Sequence, residues 1–195
     1  MSTFNWIPFL TYAVITAFTP GPNNLMSMTN GAKQGFRKAL PFNYGIFTGQ
    51  LILQMLCTIF CSTLEVWIPK IRIPMLIIGA AYLLYLAWGI FCSGDELEHS
   101  EEKTGYFTGL LLQFVNIKIY LYFIMSMEAY VIPHYQGQWG MLLFFSILLP
   151  VIAFISTLCW SAFGSVFRQL FTTHAKVTNT IMALLLVCCA VSLFL

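Results

Sequence analysis

Charge is clustered, leaving six intervals without any, and that arrangement limits the fold more than any other feature. No Asp, Glu, Lys or Arg occurs from Met1 to Ala32, Ala39 to Leu64, Ile73 to Gly94, Thr104 to Ile117, Ala129 to Phe167, or Val177 to Leu195. A helix needs roughly 20 mostly apolar residues to cross the hydrocarbon of a bilayer. The chain offers six such runs, near residues 6–28, 41–64, 74–92, 106–128, 141–163 and 177–195. Only 8% of the 195 residues are charged and 59% are hydrophobic, whereas soluble domains carry about 25% charge. Such a chain has too little polar surface to face water, and an all-α membrane protein with six transmembrane helices is expected.

The distribution of Lys and Arg predicts the orientation. Loops 1–2, 3–4 and 5–6 hold Lys33, Arg37, Lys38, Lys103, Arg168 and Lys176, whereas loop 2–3 holds only Lys70 and Arg72. The positive-inside rule makes the odd-numbered loops cytoplasmic and both termini periplasmic. A cleaved signal needs a basic segment before its apolar core, yet the first basic residue is Lys33. A net charge of +2 with no basic cluster gives no footprint for nucleic acid. The six cysteines fall in or beside apolar runs and read as small buried hydrophobes. No cofactor and no metal site is expected.

Within the first run lies Thr19-Pro20-Gly21-Pro22-Asn23-Asn24. Two prolines remove two backbone donors and the glycine between them is permissive, so the helix should break there. A broken helix at membrane depth is tolerated only where protein or a water-lined cavity meets the freed groups. At helical spacing Thr16, Pro20, Asn23 and Ser27 share a face. A structural kink is the bland alternative, but it does not require two carboxamides as well. In the second run Asn43, Gln50 and Gln54 recur at helical intervals. They should face a cavity or a partner helix, and interhelical bonding weighs as much there as substrate contact. Gly45 and Gly49 form a small-xxx-small spacing.

The fourth run is the counterpart of the first. Gly105 and Gly109 repeat the glycine spacing, and Gln113, Asn116, Lys118 and Tyr120 follow. Gln113, Asn116 and Tyr120 share a face, but Lys118 lies about 200° around a straight helix from Asn116. Either Lys118 faces another element, or the helix unwinds locally and both point inward. A lysine so deep in a span is by default functional; an internal salt bridge is the alternative. Glu128 is expected at the outer mouth, and the last two runs read as buttresses without a strong motif.

Two sets of three spans, each opened by an interrupted or polar segment, suggest two inverted three-helix repeats with a site near mid-membrane. The chain is therefore divided into repeat 1 (about 1–92), an acidic cytoplasmic loop (93–104) and repeat 2 (about 105–195), within one transporter domain. Substrate-binding or coupling residues are placed at Pro20, Gly21, Pro22, Asn23, Asn24, Gln50, Gln54, Gln113, Asn116 and Lys118.

Thr19-Pro20-Gly21-Pro22-Asn23-Asn24, Gly79-Ala80-Ala81-Tyr82-Leu83 and Gln113-Phe114-Val115-Asn116-Ile117-Lys118 resemble the LysE/RhtB amino-acid exporters over essentially the whole chain. Cys159-Trp160 and the tail from Ala183 to Val191 are similar to the branch that exports cysteine and O-acetylserine. The resemblance implies efflux of a small neutral amino acid across a bacterial inner membrane, with protons as the coupling ion and a homo-oligomer left open. Another amino acid, such as threonine or homoserine, is the alternative cargo. Many relatives have proline where Ile117 stands, which leaves a break in the fourth span less certain than the first.

Readings from other classes fare less well. A membrane thiol carrier needs a reactive cysteine near each break, but none occurs before Cys57. An intramembrane hydrolase needs a nucleophile with its base at depth, yet His99, His134 and His174 lie in loops. A structural subunit of a larger assembly remains. No Gly-x-x-x-x-Gly-Lys-Ser/Thr phosphate loop is present, which argues against direct use of ATP and for secondary transport rather than an enzyme.

Overall fold

The computed structural model describes residues 4–60, individual helical positions between 73 and 91, residues 105–167 and residues 175–192. The third expected span is thus described only at separate positions. The acidic loop 93–104, the turn at 61–72, His99 and His174 lie outside the described residues.

All regular structure among the described residues is helical. Helix α1 is Trp6–Phe18, α2 is Pro22–Gln34, α3 is Phe36–Ile59, α4 is Tyr106–Val115 and α5 is Ile117–Ser126. A π-turn (Met127–Val131) leads to α6 (Ile132–Tyr135), then α7 (Trp139–Val166) and α8 (Ala175–Ser192). Helix α7 is by itself long and apolar enough to cross a membrane, and α4 with Ile117–Tyr135 forms a second apolar pair bent by 67°. Helix α3 is 24 residues long, but Asn43, Gln50 and Gln54 dilute its apolar character. The architecture is that of a helical membrane protein.

Several boundaries differ from the sequence expectation. The basic loop between the first two spans shrinks to Gly35, at φ 82°. That left-handed conformation suits glycine and lets α2 run directly into α3. Lys33, Arg37 and Lys38 consequently sit on helix ends rather than in a loop. The Ser165 hydroxyl accepts from Phe36 N–H at 3.1 Å, filling one of the donors that a helix start leaves open. The loop before α7 is shorter too, because residues from Ile132 to Tyr135 continue as a helical turn.

Burial runs opposite to that of a soluble domain. Ile7, Phe107, Trp139 and Val166 are exposed, while Asn23, Asn24, Asn43, Gln50, Gln54, Gln113 and Asn116 are buried. Carboxamides inside and large apolar side chains outside are what a lipid environment selects, since an unpaired polar group in hydrocarbon is costly.

The helices approach most closely at glycines. Gly31 on α2 lies against the Ser161 backbone of α7, and Gly164 on α7 lies against the Met28 backbone of α2. Gly45 on α3 meets the Tyr106 backbone, and Gly109 on α4 meets the Phe42 backbone. A Cβ at any of these would collide with main chain, which moves far less readily than a side chain. The glycine spacings seen in the sequence, Gly45 with Gly49 and the one ending at Gly109, meet in the pair α3–α4, whereas the α2–α7 contact through Gly31 and Gly164 carried no such spacing.

Candidate functional site

Helix α1 ends because proline follows Thr19. The residue before a proline is pushed out of the α region, and Thr19 has ψ 139°. Pro22 opens α2 at its first position, where its missing N–H is no loss. A helix end leaves its last carbonyls without partners, and here long-range donors meet them. Asn24 Nδ2 donates to Ala17 O at 2.8 Å and to Thr19 O at 3.0 Å. The Ser156 hydroxyl donates to Ala17 O at 2.9 Å, and Trp160 Nε1 donates to Phe18 O at 3.3 Å. Lys118 Nζ donates to Thr19 O at 2.8 Å and reaches Pro20 O at 3.4 Å. A cation at the carbonyl end of α1 also complements the helix dipole.

The fourth span breaks as well. Asn116, at φ −88° and ψ 88°, separates α4 from α5. Its side chain makes no local cap; instead Asn116 Nδ2 donates to Asn23 Oδ1 at 3.0 Å. Asn23 and Gln113 exchange two further amide bonds, at 2.8 and 3.1 Å. The three carboxamides fasten one break to the other. Of the two alternatives left for Lys118, local unwinding is the one found, and Asn116 and Lys118 line the same cavity.

That cavity takes in about 340 Å³ of space, its open mouth included. Helix α1 contributes Thr16 and Ala17, the first break and the start of α2 contribute Gly21, Pro22, Asn23 and Asn24, and α3 contributes Gln50. Asn116, Lys118, Ile119 and Tyr122 come from the second break and α5, and Ala153 and Thr157 from α7. The starts of α2 and α5 both border the cavity, and helix N-termini favour anionic groups. The carbonyl end of α1 favours cationic ones. One small space therefore offers opposite electrostatic preferences a few atoms apart.

Rings pack behind Tyr122, the aromatic residue of the lining. Tyr122 stacks with Tyr12 at 6.4 Å, Tyr12 with Tyr130 at 5.7 Å, and Phe9 meets Phe145 edge-on at 5.2 Å. Phe4, Trp6 and Tyr135 join the same cluster. Phe9, Phe145 and Met127 are wholly buried there.

The sequence pattern of the LysE type translocators matches residues 14–195. The chain belongs to that family. Among its relatives are the cysteine/O-acetylserine efflux proteins of Salmonella choleraesuis (strain SC-B67) and Salmonella typhimurium (strain LT2), each 38% identical over 188 residues and 95% of both chains. The protein of the same name from Escherichia coli K12 is 36% identical over the same share. No solved structure matches the chain.

Against this translocator fold the expected site residues divide. Gly21, Pro22, Asn23, Asn24, Gln50, Asn116 and Lys118 line the cavity. Pro20 lies at its edge and offers its carbonyl to Lys118. Gln113 stands behind the lining and holds Asn23. Gln54 lies outside the lining and bonds to Thr58 at 3.2 Å, whose hydroxyl pairs with Ser146 at 2.6 Å. Ser27, one turn after Asn23 on α2, lies outside the lining and donates to Asn43 Oδ1 at 2.7 Å. Sequence reasoning passed over Tyr122, Ser156 and Thr157. The adjacent hydroxyls of Ser156 and Thr157, within an otherwise apolar helix, were the available signal.

Proposed function

We propose that this protein exports small neutral amino acids, cysteine and O-acetylserine foremost, from the cytoplasm across a bacterial inner membrane by secondary transport coupled to protons. The observation that carries this is the pair of broken spans facing one cavity, with Lys118 seated on the carbonyl end of α1. The names of the relatives support the choice of cargo.

A zwitterion has two ends and the cavity has matching preferences. The substrate carboxylate meets the N-termini of α2 and α5, and its ammonium meets the carbonyls at Thr19 and Pro20. Lys118 occupies those carbonyls, so an arriving ammonium displaces it. The freed Lys118 ammonium then turns to the carboxylate, and the exchange leaves no buried charge unpaired. Alternating access rocks one inverted repeat against the other about this site. The crossed glycine contacts, α2 with α7 and α3 with α4, support two such repeats because each joins a helix of one half to a helix of the other. Both termini lie on the periplasmic side in this reading.

The test is uptake into inverted membrane vesicles with labelled cysteine, O-acetylserine, threonine and homoserine, with and without a pH gradient. Cysteine and O-acetylserine should accumulate only with the gradient. Preference for threonine or homoserine would reassign the cargo, and movement of none would end the export reading. Lys118→Met should abolish accumulation while the protein remains in the membrane at its normal level; unchanged export in that variant would remove Lys118 from the mechanism.

A further inference from the structure

Most polar side chains around the cavity are already engaged. Asn23, Asn24, Asn116 and Lys118 each have a hydrogen-bond partner within the protein. Gln50 differs. Its side chain is 1% exposed, it lines the cavity, and among the described residues neither Oε1 nor Nε2 has a partner. A buried carboxamide left without partners is destabilising, so an apolar residue there would make a more stable protein. The cost is recovered when a ligand supplies the missing bonds.

We propose that Gln50 is a specificity-determining residue that reads the polar end of the substrate's side chain. This rests on the export reading above, which assigns the two charged ends of the amino acid to the helix termini and Lys118. What remains of cysteine is a thiol, a weak donor, and what remains of O-acetylserine is an ester carbonyl, an acceptor only. A carboxamide serves both: its oxygen accepts from the S–H, and its NH₂ donates to the ester carbonyl. The neighbouring Thr157 hydroxyl already donates to Phe154 O at 2.8 Å, so it can only accept from a ligand and offers nothing to an ester. One ambivalent side chain thus explains how two chemically unlike side chains share one site.

The experiment compares vesicle transport of cysteine, O-acetylserine and 2-aminobutyrate, which has the size of cysteine but a methyl in place of the thiol. Wild type and Gln50→Met, an apolar replacement of similar length, are assayed at equal membrane levels. In the variant the efficiency for each polar substrate, taken relative to that for 2-aminobutyrate, should fall roughly tenfold, the value of about one hydrogen bond. An equal fall for all three would show that Gln50 holds the amino-acid ends or the fold, and no change in any would show that it contacts nothing; either result overturns the proposal. Wild-type protein that moves none of the three overturns the export reading itself, and this inference with it.

Discussion

At the scale of single residues, Lys118 is the least expected side chain in the fourth span, and it is held on the Thr19 and Pro20 carbonyls. Gly21 shows how closely it is held. The Gly21 backbone is extended, at φ −171°, so any residue could adopt it, but a Cβ there would stand 3.0 Å from Lys118 Cδ and Nζ. Gly21→Ala should leave stability within about 0.5 kcal/mol, because a flexible side chain can give way. Export should nonetheless fall several-fold as the ammonium shifts from its carbonyls; a thermal melt and a vesicle assay on the same preparation check both halves. Asn23→Ala is expected to act on stability instead. It strips partners from Gln113 and Asn116 together, and a loss of about 2 kcal/mol is expected by thermal unfolding in detergent, from buried amides left unpaired. The carboxamides and the lysine were legible in the sequence because hydrocarbon makes them conspicuous. Tyr122 was not, since a tyrosine in an aromatic run carries no mark of the cavity it borders.

At the scale of elements, the two breaks arise differently. The first is written locally, by Pro20 and Pro22. The second has no proline and its Asn116 is held by Asn23 across the site, which is why the sequence left it undecided. Ile117 is the first residue of α5, a position that accepts proline readily. Ile117→Pro should therefore retain at least about half of the export activity, whereas proline inside a helix costs about 3 kcal/mol or more; a collapse of transport or of membrane level in that variant would contradict the local geometry. The helix contacts make a second contrast. Gly31→Ala presses a methyl into the Ser161 backbone, while Gly140 has nothing within 4 Å. The first should lose about 1–3 kcal/mol by overpacking and the second almost nothing, as read from melting in detergent. The glycine spacings announced close packing, but which helix each met depended on the tertiary fold.

At the scale of the whole molecule, the aromatic cluster packed beside the cavity lining at Tyr122 is predicted to be the barrier that a substrate parts to leave. Phe9 on α1 and Phe145 on α7 touch across it. In a cysteine-free background, Phe9→Cys with Phe145→Cys joined by a short thiol cross-linker should stop export, and a reducible linker should restore it on reduction. Export that continues through the linked protein would place the exit elsewhere. The helical, apolar character of the chain was readable from charge and hydropathy, whereas the full length of α2 was not, since the turn that carries it from residue 28 to Gln34 holds Asn30 and Lys33.

That polar helix bears on how the chain is made. Asn23 finds its partners 90 and 93 residues later, at Gln113 and Asn116, and Asn24 meets Ser156 after 132 residues. During synthesis α2 leaves the ribosome long before anything exists to satisfy it. The insertion machinery must keep it sheltered or let it wait at the water boundary until α4 and α7 arrive, so a segment that emerges before its partners settles in the bilayer only after them.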